Sequence, residues 1–567
     1  MRRVIWAEVN FTSSPTWSAR SRNLGSEKVH LRASAWGFYT CEEFLPQIEP
    51  RLDTNTALQT ASHGSQSFTL RSSDAETDLT ALGVMGGLIS LKSFLDRFGH
   101  PSDGLLGFMV ASYDIGCLLG AAAAFLWGDN AGRRRAIVYS CIVLMCGAAL
   151  QTAAFWIPMY IVGRIIAGIG IGSVSVTVPI YVSECARPSW RGILVVSETT
   201  VVILGICLSN FTNFGFVYGR PNLNGTEAQW RIPIGLQMIF PPLVFLMMPF
   251  TVESPRWLAA RGRHSEVAQV LARLHGKGVT ADSHEIRKEA ELIIQTALHE
   301  AEIEGSWKES FTNGELQNLR RLILAGATGF LHQATGINVV IYYSQNIFRQ
   351  VGLDDRLSYI MSCVGSVCFL VGSILPVFYI ERIGRRKVMM LGASTCGICM
   401  GIIACTGAVS LYYPERASAS SWAGAAFILV FEFSFGTGWN SMNWLYSSEI
   451  GSLRMRNKTA ATQCLCHWAM NFLTVMVAPT GFATLGWHFY LVWMAITLAA
   501  IPFLYCCFPE TAGRTLEQMD GFFRLYPQWN IRKVANAWVE EGAISGNNSA
   551  SSHTKNEGEK FHRQEKV

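Results

Sequence analysis

The stretch FLHQATGINVVIYY, residues 330–343, sets His332, Gln333, Thr335 and Asn338 into an otherwise apolar run. Polar side chains in such a run are costly inside a membrane, so something must satisfy them. Gln333 and Asn338 are five residues apart, roughly one and a half helical turns, so both can face one cavity. An amide donates and accepts together, which suits a solute rich in hydroxyl groups. Trp444 and Trp468 add flat apolar faces, each with an N–H donor, suited to the C–H face of a ring. Hydrogen bonding between helices, with aromatics at the membrane interface, is the plainer alternative for any single one of these residues.

A second set of residues carries charge. Asp129-Asn130-Ala131-Gly132-Arg133-Arg134 recurs as Glu381-Arg382-Ile383-Gly384-Arg385-Arg386, 252 residues later. Glu184 and Arg191 recur as Glu449 and Arg456, both offset by 265. VESPR (252–256) is echoed by PETAGR (509–514). The order is the same in both halves, so the chain reads as a parallel repeat of two six-helix units around a midplane site. Acids and arginines paired across the halves would hold one side shut, and breaking them would open it. The preference of arginine for one side of a membrane explains the arginines alone, not the acids at matching spacing.

These residues need spans to hold them. The chain has 567 residues, 50% hydrophobic and 15% charged, against about 25% charged in an ordinary soluble domain. That composition is of a multi-pass, all-α membrane protein, and the net charge of +5 gives nucleic-acid binding no support. A span needs ~20 apolar residues. Qualifying runs lie at 105–127, 136–156, 158–180, 193–211, 233–250, 322–345, 359–380, 388–413, 423–446, 460–483 and 487–508. A twelfth, 79–90, is apolar for only twelve residues, so the first helix reads as truncated. Two readings of it stand: the chain joins an unrelated segment to a truncated helix, or the helix is truly short. The fifteen cysteines lie mostly in apolar runs, and Cys396 and Cys399 lack the second pair that a zinc site wants. No metal or cofactor is expected.

Arg133 to Arg135, Arg187, Arg191, Arg382, Arg385 to Lys387, Arg454, Arg456 and Lys458 crowd one set of connections. That set is expected to be cytoplasmic, with both termini inside and the plasma membrane as the site. The sequon at Asn224 then falls outside, where glycosylation can occur. The organisation expected is a polar, structureless 1–77, a six-helix half at 78–250 and a helical linker at 251–320. A second half at 321–523 and a polar tail at 524–567 follow.

The motifs together resemble the sugar porter family of the major facilitator superfamily, closest to its fungal hexose-type members. They are GDNAGRRR, GRIIAGIGIGSVSVTVPIYVSECARPSWRG, ESPRWL, HQATGINVVIYY, GWNSMNWLYSSEI and PETAGRTLEQMD, in order across about 82–523. The resemblance implies the major facilitator fold, twelve transmembrane helices in two six-helix halves, and sugar binding by Gln333, Asn338, Trp444 and Trp468. It implies extracellular gating by Tyr342 and Tyr343, and a cytoplasmic charge network of Asp129, Arg133, Arg164, Glu184, Arg191, Glu381, Arg385, Glu449 and Arg456. Gly168, Gly170 and Gly172 read as close-packing positions.

Departures bear on the solute. His332 stands where a Gln is usual, His467 where an Asn or Gln is, and Thr199 where a Gln is common; all three are taken as cavity residues. WNSMNW replaces a Gly-Pro step before Trp444. The two imidazoles either switch charge near neutral pH or serve as neutral hydrogen-bonders. Ala81 occupies the place of the family's proton-coupling Asp, which leaves Glu198 in the fifth span as a candidate coupling group. The function expected is transport of a monosaccharide, a hexose by default, as facilitator or proton symporter. A sugar sensor, or a carrier of a polyol, disaccharide or quinate, is the alternative. Partners are the sugar, a proton if symport holds, and the bilayer, with the monomer as the working unit. No enzyme motif is present, neither H-E-x-x-H nor G-x-S-x-G.

Overall fold

A computed structural model describes residues 85–531, apart from 90, 187–190, 220, 224, 277–278, 304–308, 310, 453–454, 515 and 527. The 1–77 segment, Ala81, Asn224 and the side chains of Asp129, Arg191 and Arg456 lie outside the described residues. So does most of the tail.

The elements are helices. The first half comprises α1 Met85–Leu88, α2 Lys92–Arg97, α3 Asp103–Ala131, α4 Arg133–Thr152, α5 Ile157–Cys185, α6 Arg191–Tyr218, α7 Ala228–Leu236 and α8 Phe240–Met247. Three connecting helices follow: α9 Pro255–Ala260, α10 His264–His275 and α11 His284–Ile303. The second half comprises α12 Asn318–Ala334, α13 Ile337–Tyr342, α14 Ser344–Gln350, α15 Asp355–Ile374, α16 Pro376–Ile383, α17 Arg385–Tyr412, α18 Ala417–Gly438, α19 Met442–Ile450, α20 Arg456–Leu485, α21 His488–Cys507 and α22 Leu516–Leu525.

Ten stretches among the described residues are long and apolar enough to cross a membrane. Eleven were expected beside the short first run. The difference is 322–345, which is not one helix. Gly336 has a φ of 83°, ending α12, and Tyr343 leaves helical geometry between α13 and α14. A Cβ on Gly336 would also come within 3.1 Å of the Trp493 indole, so glycine suits this break twice over. Broken spans of this kind line solute sites in transporters.

The repeat is visible in the packing. α3 packs on α5 and α5 on α4; likewise α15 packs on α18 and α18 on α17. The α3–α5 approach is close enough that a Cβ on Gly172 would lie 2.0 Å from the Cys117 carbonyl oxygen. Small residues of this spacing let backbones touch where the hydrophobic effect cannot drive helices together. The halves meet through α3 against α20 and α6 against α15. Of the short first run, α1 is buried at Leu88, and the Tyr359 hydroxyl of α15 donates to the Gly87 carbonyl at 2.7 Å.

Candidate functional site: a cavity between the halves

One cavity lies between the halves and encloses about 130 Å³. That is roughly ten times the smallest space that holds one water, so a solute of several heavy atoms fits. Its two walls differ. α5 and α6 contribute Ile171, Val202, Ile203 and Ile206, with Glu198 and Thr199 as the polar exceptions beside Ser175. The second half contributes His332, Gln333, Asn338, Asn440, His467 and Asn471, flanked by Trp444 and Trp468.

The break at Gly336 brings Gln333 and Asn338 together: Asn338 Nδ2 donates to Gln333 Oε1 at 3.0 Å. Asn338 Nδ2 also donates to Asn471 Oδ1 on α20 at 2.6 Å. Gln333 Nε2 meets His467 Nε2 at 2.9 Å, and the other ring nitrogen meets Asn443 Nδ2 at 3.0 Å. His467 is thus a link between two amides.

Other polar atoms in the wall have no protein partner. Both ring nitrogens of His332, Nε1 of Trp468 and Nδ2 of Asn440 are buried and unsatisfied. His332 makes ring contacts instead, 5.0 Å from Phe435 and 4.9 Å from His467 between centroids. A buried donor or acceptor left unmade costs about 1–3 kcal/mol, and all three of these residues line the cavity. Asn440 had no prominence in the sequence, because the turn WNSM between α18 and α19 is what aims it.

Thr199 lines the first wall, and its hydroxyl lies 3.0 Å from that of Ser441 across the halves. Glu198 lines the cavity beside it. Tyr342 and Tyr343 do not line the cavity. Both are buried beyond Ile341, and the Tyr343 hydroxyl donates to the Val475 carbonyl at 3.2 Å.

The residues 60–523 match the family described as Sugar (and other) transporter. The chain belongs to the sugar transporter family. The "MFS-type transporter oryC" of Aspergillus oryzae is 35% identical over 464 residues, covering 80% of this chain and 84% of that one. The "Sugar transporter STL1" of Saccharomyces cerevisiae is 30% identical over 456 residues, covering 78% of each. Among solved structures, the proton:xylose symporter XylE bound to 6-bromo-6-deoxy-D-glucose superposes with a TM-score of 0.68 at 21% identity, covering 82% of this chain and 99% of that one. The fold is therefore that of the major facilitator superfamily, in a multi-pass membrane protein.

In this sugar transporter family member the charged motifs sit at the helix ends near Gly132 and Gly384. Arg133 pairs with Glu184 at 3.3 Å. Arg385 pairs with Glu381 at 2.7 Å and with Glu449 at 2.8 Å. Each described pair joins elements of one half, which corrects the expectation of pairing across the halves: Glu184 lies on α5, which packs on α4 where Arg133 stands, and Glu381 and Glu449 lie on α16 and α19, within the second half. Arg164 is also corrected. It stands twenty residues before Glu184 on α5, ~30 Å along the helix axis, and is not part of that cluster. It is fully buried, donates to the Val110 carbonyl at 2.7 Å and lies 4.6 Å over the Tyr113 ring.

Several residues of the family member's charged end escaped sequence reading. Arg321 pairs with Asp520 of α22 at 2.6 Å, and Arg320 donates to the Tyr526 carbonyl at 2.7 Å. Asp114 and Glu432 are buried carboxylates inside spans. A single acid in an apolar run was the available signal for both.

Proposed function

We propose that this protein carries a monosaccharide, a hexose by default, across the membrane by alternating access of the cavity. The observation that carries the proposal is that His332, Asn440 and Trp468, each with an unsatisfied polar atom, line one wall of a cavity whose other wall is largely isoleucine and valine. A pyranose has hydroxyls for the first and a C–H face for the second. That pairing favours a ring over an open-chain polyol, which has no single apolar face. Gln333 and Asn338 supply further amides, and Trp444 a second indole. The relatives named as sugar transporters support the same reading.

In this scheme Tyr342 and Tyr343 close the end of the cavity away from the arginines. The Arg133–Glu184 and Arg385–Glu381–Glu449 clusters stiffen each half as it rocks. The arginine-rich end is assigned to the cytoplasm, both termini with it, in the plasma membrane. Proton symport is the mode favoured by the buried acids Asp114 and Glu432.

Uptake of labelled hexoses, pentoses, polyols, disaccharides and quinate by a transporter-deficient host tests the proposal. Saturable uptake of a monosaccharide is the expected result. Saturable binding without uptake would make the protein a sensor, and uptake of quinate or a polyol alone would overturn the choice of solute.

A further inference from the structure

Asp114 lies midway along α3 and is 1% exposed, inside a stretch long and apolar enough to span. An ionisable group at that depth is costly and functional by default. Its Oδ1 accepts the Asn471 Nδ2–H at 2.9 Å, a bond from one half to the other. Asn471 Oδ1 in turn accepts from Asn338, whose Nδ2 also donates to Gln333 Oε1, and Gln333 Nε2 reaches His467. A carboxyl in one half and an imidazole in the other are therefore joined by three amides, all lining the cavity.

His467 makes this chain two-valued. A neutral imidazole has one N–H and one lone pair. Amide nitrogens of Gln333 and Asn443 face its two ring nitrogens, so only one of them can donate and the other amide must present oxygen. Two arrangements satisfy every member. With Asp114 ionised, Asn471 donates to it, Asn338 donates to Asn471 and Gln333, and Gln333 donates to His467 Nε2; the His467 proton is on Nδ1. With Asp114 protonated, its O–H donates to Asn471 Oδ1. Asn471 and Gln333 then both donate to Asn338 Oδ1, and Gln333 Oε1 accepts the His467 Nε2–H. The Asn443–Gln463 bond, 2.7 Å from Nε2 to Oδ1, fits the second arrangement and turns over in the first.

We propose that Asp114 is a proton-binding site, and that its occupancy is read in the cavity as the turning-over of Asn471, Asn338 and Gln333. The Asp114 proton comes from water and returns to water; at His467 the Nδ1–H bond gives way to an Nε2–H bond by proton exchange with water, one N–H lost for one formed, and no other covalent bond changes. The group that half-buried Asn338 turns toward the cavity changes from a carbonyl oxygen to an NH₂, so the solute meets a donor in place of an acceptor. The charged and titratable groups around Asp114 are Arg164 on α5, Tyr113 and Cys117 on α3, and Tyr342 and Tyr343 at the end of α13. Arg164 alone among them carries a fixed charge. Its Nε and Nη1 are buried and unpartnered, so its charge balances the ionised carboxylate through space. Because Asn471 belongs to α20, the bond it makes to Asp114 lasts only while α3 and α20 stay together. Protonation and the relative position of the halves are thereby linked.

The consequence for solute affinity rests on the transport reading, but the site itself is tested without solute. Infrared difference spectra between acidic and mildly alkaline pH are recorded on the full chain in lipid nanodiscs. The expected result is a protonated-carboxyl band that is lost in Asp114→Asn. In Asn471→Leu that band stays, while the accompanying side-chain amide and histidine ring bands are lost. A band that survives in Asp114→Asn belongs to another acid, Glu198 or Glu432, and overturns the site. Absence of any band overturns it too, and amide changes that survive in Asn471→Leu overturn the relay. Should Asp114→Asn not fold, isotope-labelled aspartate in the unaltered chain replaces it: Asp114 is the one aspartate below 9% exposure among the described residues, and a band that does not shift sinks the assignment. A proton band at Asp114 without uptake of any sugar would refute the transport reading and leave the site standing.

Discussion

Glu510 accepts the backbone N–H of Arg385 at 2.8 Å from 125 positions along the chain. It also accepts that of Arg386, at 3.2 Å, so the first turn of α17 is capped by a distant carboxylate. Glu253 treats Arg133 and Arg134 at the start of α4 in the same way, at 3.1 and 3.3 Å. The preceding glycines, Gly132 and Gly384, have φ of 88° and 92° and carry no capping side chain of their own. The carboxylates satisfy orphan N–H groups and face the positive end of the helix dipole.

Replacing Glu510 by Ala should therefore lower stability by about 1–2 kcal/mol, the cost of a lost cap. Glu253→Ala should do the same for the first half. Thermal melting of the purified protein in detergent reads both, and unchanged midpoints would reduce these contacts to surface decoration.

Arg385→Ala should be worse than either. The Arg385 side chain is only 4% exposed and serves two carboxylates, so its removal leaves half-buried Glu449 without its cation. Breaking such a pair costs roughly 3–5 kcal/mol. Little folded protein should survive, Arg385→Lys should recover part of it, and Arg385→Ala with Glu449→Gln should recover more. Yields on size-exclusion chromatography decide. The corresponding pair of the first half is tested by Glu184→Ala, expected to cut sugar uptake while folded protein remains.

Within the cavity, His332 and Asn338 should behave differently. His332 has no protein partner, so His332→Phe should weaken sugar affinity about fivefold, one hydrogen bond, and leave the melting temperature alone. Asn338 bridges two amides, so Asn338→Leu should lower both affinity and stability. Binding titrations beside melting curves separate the two effects; equal behaviour of both variants would return His332 to a packing role.

Gly172→Ala should prevent folding or nearly so. The added Cβ would meet the Cys117 carbonyl oxygen, carbon and Cα at 2.0–2.6 Å, and backbone cannot swing aside as a side chain can. Overpacking costs typically about 1–3 kcal/mol, and more where the neighbour is rigid. Normal expression and melting of this variant would show that α3 and α5 have room to part.

The spans and the charged motifs were legible because each is a local pattern: an apolar run, or an acid and an arginine at fixed spacing. So was the pairing of Gln333 with Asn338, five positions apart. The break at Gly336 was not, because a lone glycine inside an apolar run is common and only the Trp493 ring opposite shows why it must be there. Nor was Arg164's place, since the same residue type marks helix ends elsewhere in this chain. Asp114 escaped because its meaning depends on Asn471, 357 positions away and in the other half. Glu253 and Glu510 were visible as an echo between the halves, but a cap delivered from so far leaves no spacing to read.

The unequal walls of the cavity have a thermodynamic consequence. Six polar groups and both indoles belong to the second half, and mostly aliphatic carbon to the first. In the proposed transport cycle a solute held this way would keep its directional bonds to one body while the other swings past it, so its binding free energy would stay almost unchanged around the cycle. On the proposed cycle the inner and outer dissociation constants for the solute then approach one another. Whatever asymmetry the cycle has must enter through the few places where the swinging body touches the polar side: Thr199 at Ser441, Glu198 at the cavity wall, and Asp114 at Asn471.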